Sequence, residues 1–141
     1  MRDFVEWKKQ HHYPHQRDFE ISLIEKFMEK FPDRYDKVAY SFPVGVPPPF
    51  NPIVNDATLG SDEYLYQRKI DVVGIKGQNY EIVEAKKKAG IATIGQVEGY
   101  RDLFFRDERP PTKPKCVIIC ESTDNDTLSI AEAKNIDIII L

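Results

Sequence analysis

The hydrophobic pattern of residues 16–31 predicts an amphipathic helix, because apolar residues recur there every three or four positions. They are Phe19, Leu23, Ile24, Phe27, Met28 and Phe31. Pro32 cannot continue a helix and should end it. Projected at about 100° per residue, the apolar face centres near Glu20, whereas Glu25 and Glu29 point away from it. The predicted helix therefore carries one carboxylate on the face that should be buried.

Three predicted strands follow this helix. Lys37–Val44 is rich in β-branched and aromatic residues. Residues 64–75 and 80–85 form two more strands, and the Lys-Gly-Gln-Asn sequence between them is typical of a hairpin turn, so these two should pair antiparallel. Between the first and second strands, residues 45–62 contain four prolines. That composition predicts a long loop.

The second half of the chain predicts a helix, a strand, a helix and a strand. Residues 92–105 place apolar and aromatic side chains on one helical face, and residues 115–120 are the continuous apolar run of a buried strand. A short helix near 126–134 and a last strand at 136–141 indicate a parallel crossover. The 141 residues thus predict one mixed α/β domain, with a central sheet flanked by helices.

Composition and charge narrow the classes of protein that fit. The 41% hydrophobic and 30% charged residues are typical of a soluble globular domain. The longest apolar run is far shorter than the ~20 residues of a membrane-spanning helix, and the first residues lack a secretory signal pattern. We therefore expect no membrane partner and an intracellular protein, cytoplasmic or, if viral, in the host cell. With a net charge of -3, binding to nucleic acid would need a local basic patch.

Three charged residues on the predicted hairpin form a candidate site. Asp71 interrupts an apolar strand, and Glu84 and Lys86 share one face of the next strand because strand side chains alternate. The hairpin can bring Asp71 beside them. Mg²⁺ in proteins is bound through one or two carboxylates, and a nearby lysine can stabilise an attacking hydroxide or a phosphate. A solvated strand face is the alternative interpretation of these charges.

An aspartate, a hairpin and then Glu-x-Lys within an αβββαβ core resemble the PD-(D/E)XK nuclease superfamily. The resemblance covers residues 16–120, with Ile70 where the motif has proline. It implies a restriction endonuclease-like fold with an added C-terminal αβ unit, spanning residues 1–141. It also implies hydrolysis of phosphodiester bonds, with DNA the favoured substrate, using Mg²⁺ or Mn²⁺.

The resemblance also assigns roles to individual residues. Members of the superfamily often place a glutamate of the first helix at the metal site, which here is Glu20. The implied metal ligands are Asp71, Glu84, the carbonyl of Ala85 and Glu20, and Lys86 is the implied assistant to the attacking water.

Substrate contacts are implied on the helix that follows. Gln96 and Tyr100, four residues apart, resemble the Gln-xxx-Tyr element of RecB-like and mismatch-endonuclease members, which contacts the nucleic acid. A basic patch containing Lys87 and Arg68, with Lys69, Lys88 and Arg101, could hold phosphates or simply be solvated. Cys116 and Cys120 lie about 13 Å apart along one strand, too far for a disulfide, and are too few for the iron–sulfur cluster of some relatives.

Other functions remain open on the sequence alone. The same fold could serve in nucleic-acid binding or assembly within a viral or mobile-element complex, with little catalysis of its own. An unrelated α/β interaction module is a third reading. In its small size the chain resembles Holliday-junction resolvases and phage or mobile-element nucleases, which often dimerise, so the resemblance also implies a homodimer. His11, His12 and His15 lack the carboxylate or cysteine partners of a typical zinc site.

Overall fold

The computed structural model has the predicted order of elements and describes residues 4–9, 13, 16–45 and 67–141. Apart from Gly45, the predicted proline-rich loop at 45–62 lies outside the described residues, as do the three histidines. The helices and strands are α1 (Asp18–Lys30), β1 (Lys37–Val44), β2 (Arg68–Lys76), β3 (Asn79–Ala89), α2 (Ile91–Glu108), β4 (Lys115–Thr123), α3 (Asn125–Ala133) and β5 (Asp137–Ile140). None of the described helices is both long and apolar enough to cross a bilayer.

The strands form one mixed sheet in the order β1-β2-β3-β4-β5. β2 pairs antiparallel with both β1 and β3, as the predicted hairpin requires. β4 pairs parallel with both β3 and β5, as the predicted crossover requires. The β2–β3 turn is tight, since Lys76 pairs with Asn79. Gly77 has a φ of +60° there, a conformation that glycine adopts without steric cost. The predicted mixed α/β fold is confirmed.

Helices cover both faces of the sheet. On one face, α1 buries its apolar stripe against β2, β3 and β4, through Leu23, Ile24, Phe27, Met28, Val72, Val83, Val117 and Ile119. On the other face, α2 and α3 pack over Phe42, Ile70, Val73, Ile82 and Ile118, together with the free cysteines Cys116 and Cys120. The sheet is therefore buried on both sides, as expected for its parallel half.

Tyr35 closes the α1 side of the sheet near the turn. Its ring lies so close to Gly74 that a β-carbon there would be 2.5 Å from it. Its hydroxyl donates a hydrogen bond of 2.6 Å to Glu81 Oε1, and Arg34 Nε donates one of 3.0 Å to the same oxygen. Glu81, near the start of β3, is thus a carboxylate with two protein partners.

The prediction that Glu25 points away from the buried face of α1 is wrong. Glu25 is half-buried, its Oε2 is shielded from solvent, and its charge helps to raise the pKa of the Tyr40 hydroxyl, after burial and Tyr13. Tyr40 and Tyr13 belong to the α1-side core, with their rings 5.2 Å apart, so Glu25 lies beside that core rather than away from it. Glu29 is exposed, as predicted.

Candidate active site

β2 and β3 stop pairing just before the charged residues of the predicted site. Their last paired positions are Val72 and Val83, although both strands continue. In the opening, the Ala85 main-chain nitrogen donates a hydrogen bond of 2.9 Å to Asp71 Oδ2. The Asp71 main-chain nitrogen donates one of 3.3 Å to Glu84 Oε1. Carboxylates thus replace the main-chain acceptors of a regular ladder, and this exchange places Asp71 and Glu84 side by side.

A polar cavity of about 270 Å³ lies at this opening. Its wall contains the predicted metal ligands and catalytic lysine together with a residue of α2: Glu20, Asp71, Glu84, Ala85, Lys86 and Gln96. Arg17, Phe19 and Lys69 complete the wall. The structure therefore brings α1, both hairpin strands and α2 together at one cavity.

Glu20 reaches the cavity from the first turn of α1. Its carboxyl lies beside the side chain of Asp71, and after burial this neighbour is the main cause of the raised pKa of Glu20. The position follows from the apolar pattern of α1, because the face of α1 that packs on the sheet places Glu20 near Asp71, in the first half of β2. Glu20 is only partly buried there, as suits a residue at the rim of a cavity.

Burial raises the pKa of all three carboxyl groups. It is the largest cause of the pKa of about 8 at Asp71, and the neighbouring Glu84 is the next. The pKa of Glu84 rises to about 7, although Asp71 hydrogen bonds and the Lys86 ammonium oppose the rise. The pKa of Glu20 also rises to about 7, through burial and then the charge of Asp71. The cluster therefore holds protons near neutral pH and would gain from a bound cation.

This donor set fits a hard divalent cation. The described residues contain no group of three or more His, Cys, Asp or Glu side chains arranged to hold a metal ion by themselves. Mg²⁺ does not need one, since it commonly keeps several waters and takes one or two carboxylates. Asp71 and Glu84 could supply these, with Glu20 beside them. The Ala85 carbonyl lies on the same edge of β3 as the Ala85 N–H that binds Asp71, because both groups of a strand residue face one neighbour.

Lys86 and two residues of α2 border the carboxylates. Lys86 lies two positions after Glu84 on β3, and its positive charge opposes the rise in the pKa of that carboxyl. Gln96 Nε2 donates a hydrogen bond of 3.0 Å to the hydroxyl of Tyr100, one helical turn away. Gln96 lines the cavity, and Tyr100 stands behind it, half-buried, with a pKa raised mainly by burial.

The basic residues are distributed differently from the predicted patch. Lys69 lines the cavity, whereas Lys87 is exposed and is not among its lining residues. Arg68 is exposed, but it lies close enough to Tyr100 for its positive charge to oppose the rise in the pKa of that hydroxyl. Arg101 is engaged with Asp102 at 3.1 Å and Glu98 at 3.8 Å.

Sequence reasoning missed two residues at this site. Arg17 lines the cavity, and Gln16 Nε2 donates a hydrogen bond of 2.9 Å to the main-chain oxygen of Asp71. Their one sequence signal is position, since they stand immediately before the helix that carries Glu20.

A larger cavity of about 400 Å³ lies between α3 and β5 but lacks such chemistry. Its wall mixes polar and apolar side chains, and it contains two carboxylates, Glu132 and Asp137, without a lysine or arginine among the lining residues. Its Asp137 is already paired with Lys115 at 3.1 Å. Converging carboxylates, rather than size, identify the hairpin cavity as the candidate active site.

Solved structures with a similar fold are endonucleases. No protein-family model and no curated protein sequence matches the chain. A repair endonuclease from Pyrococcus abyssi has a TM-score of 0.51 and 13% identity, over 94% of this chain and 49% of that one. EndoMS in a complex with double-stranded DNA has a TM-score of 0.50 and 10% identity, over 94% and 48%. The chain spans about half the length of each.

Sequence identities of 13% and 10% show that the fold is similar, and they show nothing about activity. The similarity nevertheless extends over nearly the whole chain. The sheet order, the helices on both faces and the Asp-hairpin-Glu-x-Lys arrangement agree with it. The chain therefore shares the fold of these two endonucleases.

Proposed function

We propose that the chain is a divalent-metal-dependent DNA endonuclease. One observation carries the proposal: Asp71 and Glu84 meet where β2 and β3 part, within a cavity that Lys86 also lines. Buried carboxylates with raised pKa values beside a lysine are typical of a catalytic cleft. The two structural relatives add support, since one is a repair endonuclease and the other is bound to double-stranded DNA.

Each residue has a distinct proposed role. Asp71, Glu84, the Ala85 carbonyl and Glu20 would hold Mg²⁺ or Mn²⁺. A cation held there supplies a Lewis acid that makes water a better nucleophile at neutral pH and neutralises charge on the phosphate. The Lys86 ammonium, held near Glu84, would orient the attacking water and stabilise the negative charge that develops on the phosphate.

The α2 residues and the basic side chains would act on the nucleic acid. Gln96 and Tyr100 are poor ligands for Mg²⁺, so we assign them to positioning the DNA backbone beside the cavity. Arg68 and Lys87 are exposed cations at the same end of the hairpin and would bind flanking phosphates. This local positive charge offsets a net charge of -3.

Cleavage of a supercoiled plasmid tests the proposal. We expect nicked and linear products with Mg²⁺ or Mn²⁺, and none with EDTA or with Glu84→Gln, which keeps the size of the side chain but removes its charge. A second set of labelled linear, flapped, junction and single-stranded substrates would define the preferred DNA. DNA retained in a gel shift without cleavage of any substrate would instead indicate a binding or assembly protein of the same fold.

Assembly and location are also part of the proposal. The described residues form one cavity with converging carboxylates, and one such site cuts one strand at a time, so we propose a homodimer acting inside the cell. Sedimentation analysis with and without duplex DNA measures the number of copies. A monomer in both conditions would contradict the homodimer.

A further inference from the structure

Asp71 is not paired with a residue of either neighbouring strand. On the β1 side, Tyr40 pairs with Val72 and Phe42 pairs with Ile70, but the Asp71 position between them is skipped. On the β3 side, pairing ends at Val72. The polar main-chain groups of Asp71 are bound by side chains instead: its nitrogen donates to Glu84, and its oxygen accepts from Gln16.

A kink in β1 at Ser41 accounts for the skipped position. Ser41 has a φ of +48°, in the left-handed region that residues other than glycine seldom adopt. The kink breaks the alternation of β1, so that Tyr40 packs on the α1 side and Phe42 packs on the other. Unfavourable backbone conformations of this kind tend to occur at functional sites.

Gln16 is held in one orientation by its contact with Asp71. The main-chain oxygen of Asp71 can only accept a hydrogen bond, so the amide nitrogen of Gln16 must face it. That orientation leaves Gln16 Oε1 buried and, within the part of the chain that the structure describes, without a partner. The contact with Asp71 therefore fixes which way the Gln16 amide faces.

The segment that carries Gln16 reaches Asp71 twice. Gln16 binds its main chain, and Glu20, four residues later, contacts its carboxyl. The segment from Gln16 to Glu20 thus contacts both the main chain and the carboxyl group of Asp71. A ligand that is free to rotate loses affinity for its metal, and partners outside the coordination shell restrict such rotation.

We propose that Gln16 is a positioning residue, which holds the main chain of Asp71 so that its carboxylate is directed into the cavity for cation binding. The inference rests on the proposed function, because it takes Asp71 as a metal ligand. Gln16 does not itself touch the cation or the DNA. Its removal should therefore change how well the metal is held while leaving DNA binding in place.

Gln16→Met tests this role, because methionine keeps the length of the side chain and loses the donor. Gln67→Met is a matched control, since Gln67 Nε2 also donates 2.9 Å to a main-chain oxygen, that of Gly45. We expect Mn²⁺ affinity, measured by calorimetry, to fall roughly 10- to 100-fold in Gln16→Met alone, with a lower kcat and an unchanged KM for DNA. Unfolding in urea should shift similarly in both variants. Mn²⁺ affinity within about twofold of that of Gln67→Met would overturn the inference.

A measurement on the wild-type protein covers the case in which Gln16→Met does not fold. Titration with Mg²⁺ should shift the side-chain amide signal of Gln16 in ¹⁵N spectra, and that of Gln67 should stay in place. A Gln16 signal unmoved at saturating Mg²⁺ would also overturn the inference. If the wild type binds neither Mg²⁺ nor Mn²⁺, the proposed function itself fails.

Discussion

Asp71 and Ala85 are joined across the open end of the hairpin by a hydrogen bond of 2.9 Å, from the Ala85 main-chain nitrogen to Asp71 Oδ2. The carboxylate thereby fills the place of a main-chain acceptor and at the same time faces Glu20. Asp71 contributes to the fold and to the cavity with the same group. Substitutions that keep an acceptor oxygen but remove the charge can therefore separate the two contributions.

Asp71→Asn should lose metal binding and keep the fold. The asparagine oxygen can still accept the Ala85 N–H, but the variant has lost one charge that attracts the cation. We expect Mn²⁺ affinity to fall more than about 100-fold, and cleavage to fall with it. Calorimetry and single-turnover cleavage measure these quantities, and urea unfolding serves as the control for the fold. Wild-type Mn²⁺ affinity in this variant would remove Asp71 from the metal site.

Lys86→Met should lose cleavage and keep metal binding. Methionine retains most of the aliphatic stem, and loss of a like charge leaves the affinity for Mn²⁺ unchanged or higher. Cleavage should drop by about 10²–10³, the usual effect of losing one donor that stabilises the transition state. Lys113→Met, which removes an exposed lysine away from the cavity, is the control. Cleavage by Lys86→Met at the wild-type rate would exclude Lys86 from the chemistry.

Gln96→Ala should weaken cleavage without affecting the metal. The substitution removes the partner of the Tyr100 hydroxyl and the α2 amide at the cavity. Misplacement of the substrate should lower cleavage about 10- to 100-fold at unchanged Mn²⁺ affinity. The assay is single-turnover cleavage of each DNA in the substrate panel. Equal rates for wild type and variant on every DNA would show that Gln96 does not act on the substrate.

The folding stability of the protein in EDTA should fall as the pH rises from about 5 to about 8. The pKa values of Glu20, Asp71 and Glu84 are raised to about 7, about 8 and about 7 in the folded chain. The native state therefore binds more protons than the unfolded state over this window, and each added pH unit favours unfolding. Saturating Mg²⁺ should restore stability at pH 8.

Urea unfolding at a series of pH values gives the slope. Asp71→Asn is the control, because it removes one of the raised groups and the repulsion that it exerts on Glu84 and Glu20. Its profile should be flatter than that of the wild type. Parallel profiles for the two proteins would contradict the assignment of the pH dependence to this cluster.

Gly74→Ala should destabilise the fold. An added β-carbon would lie 2.5 Å from the ring of Tyr35, which is hydrogen-bonded to Glu81 and cannot move freely. Overpacking of this kind costs about 1–3 kcal/mol of unfolding free energy. Gly95→Ala is the matched control, since its β-carbon meets open space on α2 and should stabilise the helix by about 0.5–1 kcal/mol. Equal unfolding free energies for the two variants would contradict this view of Tyr35.

Short-range rules account for the parts of the site that the sequence predicted. Strand alternation and the tight turn at Gly77 fix the register of β2 and β3, so Asp71 and Glu84 could be placed together from their spacing. Helical periodicity likewise predicted the face of α1 that carries Glu20. Both patterns repeat over many residues, so one residue that departs from the pattern does not change the predicted register or helix face.

Long-range packing accounts for what was missed. The Gln16 contact joins residues 55 positions apart and depends on the kink at Ser41, a residue type that does not demand a positive φ. Glu25 was misplaced because Tyr40 of β1, which helical periodicity cannot locate, lies near it. Lys69 and Lys87 were equivalent as charges along the chain, and the folded structure distinguishes them, since Lys69 lines the cavity and Lys87 does not.

β3 carries two glutamates with opposite consequences for folding. Glu81 is paired with the Arg34 guanidinium and accepts a hydrogen bond from Tyr35, whereas Glu84 faces the carboxyls of Asp71 and Glu20. Directed evolution for heat resistance alone would therefore retain Glu81 and accept neutral residues at the other three positions. Under the proposed function, such thermostable variants would fold well and lose activity, so a selection of this kind must be combined with a screen for DNA cleavage.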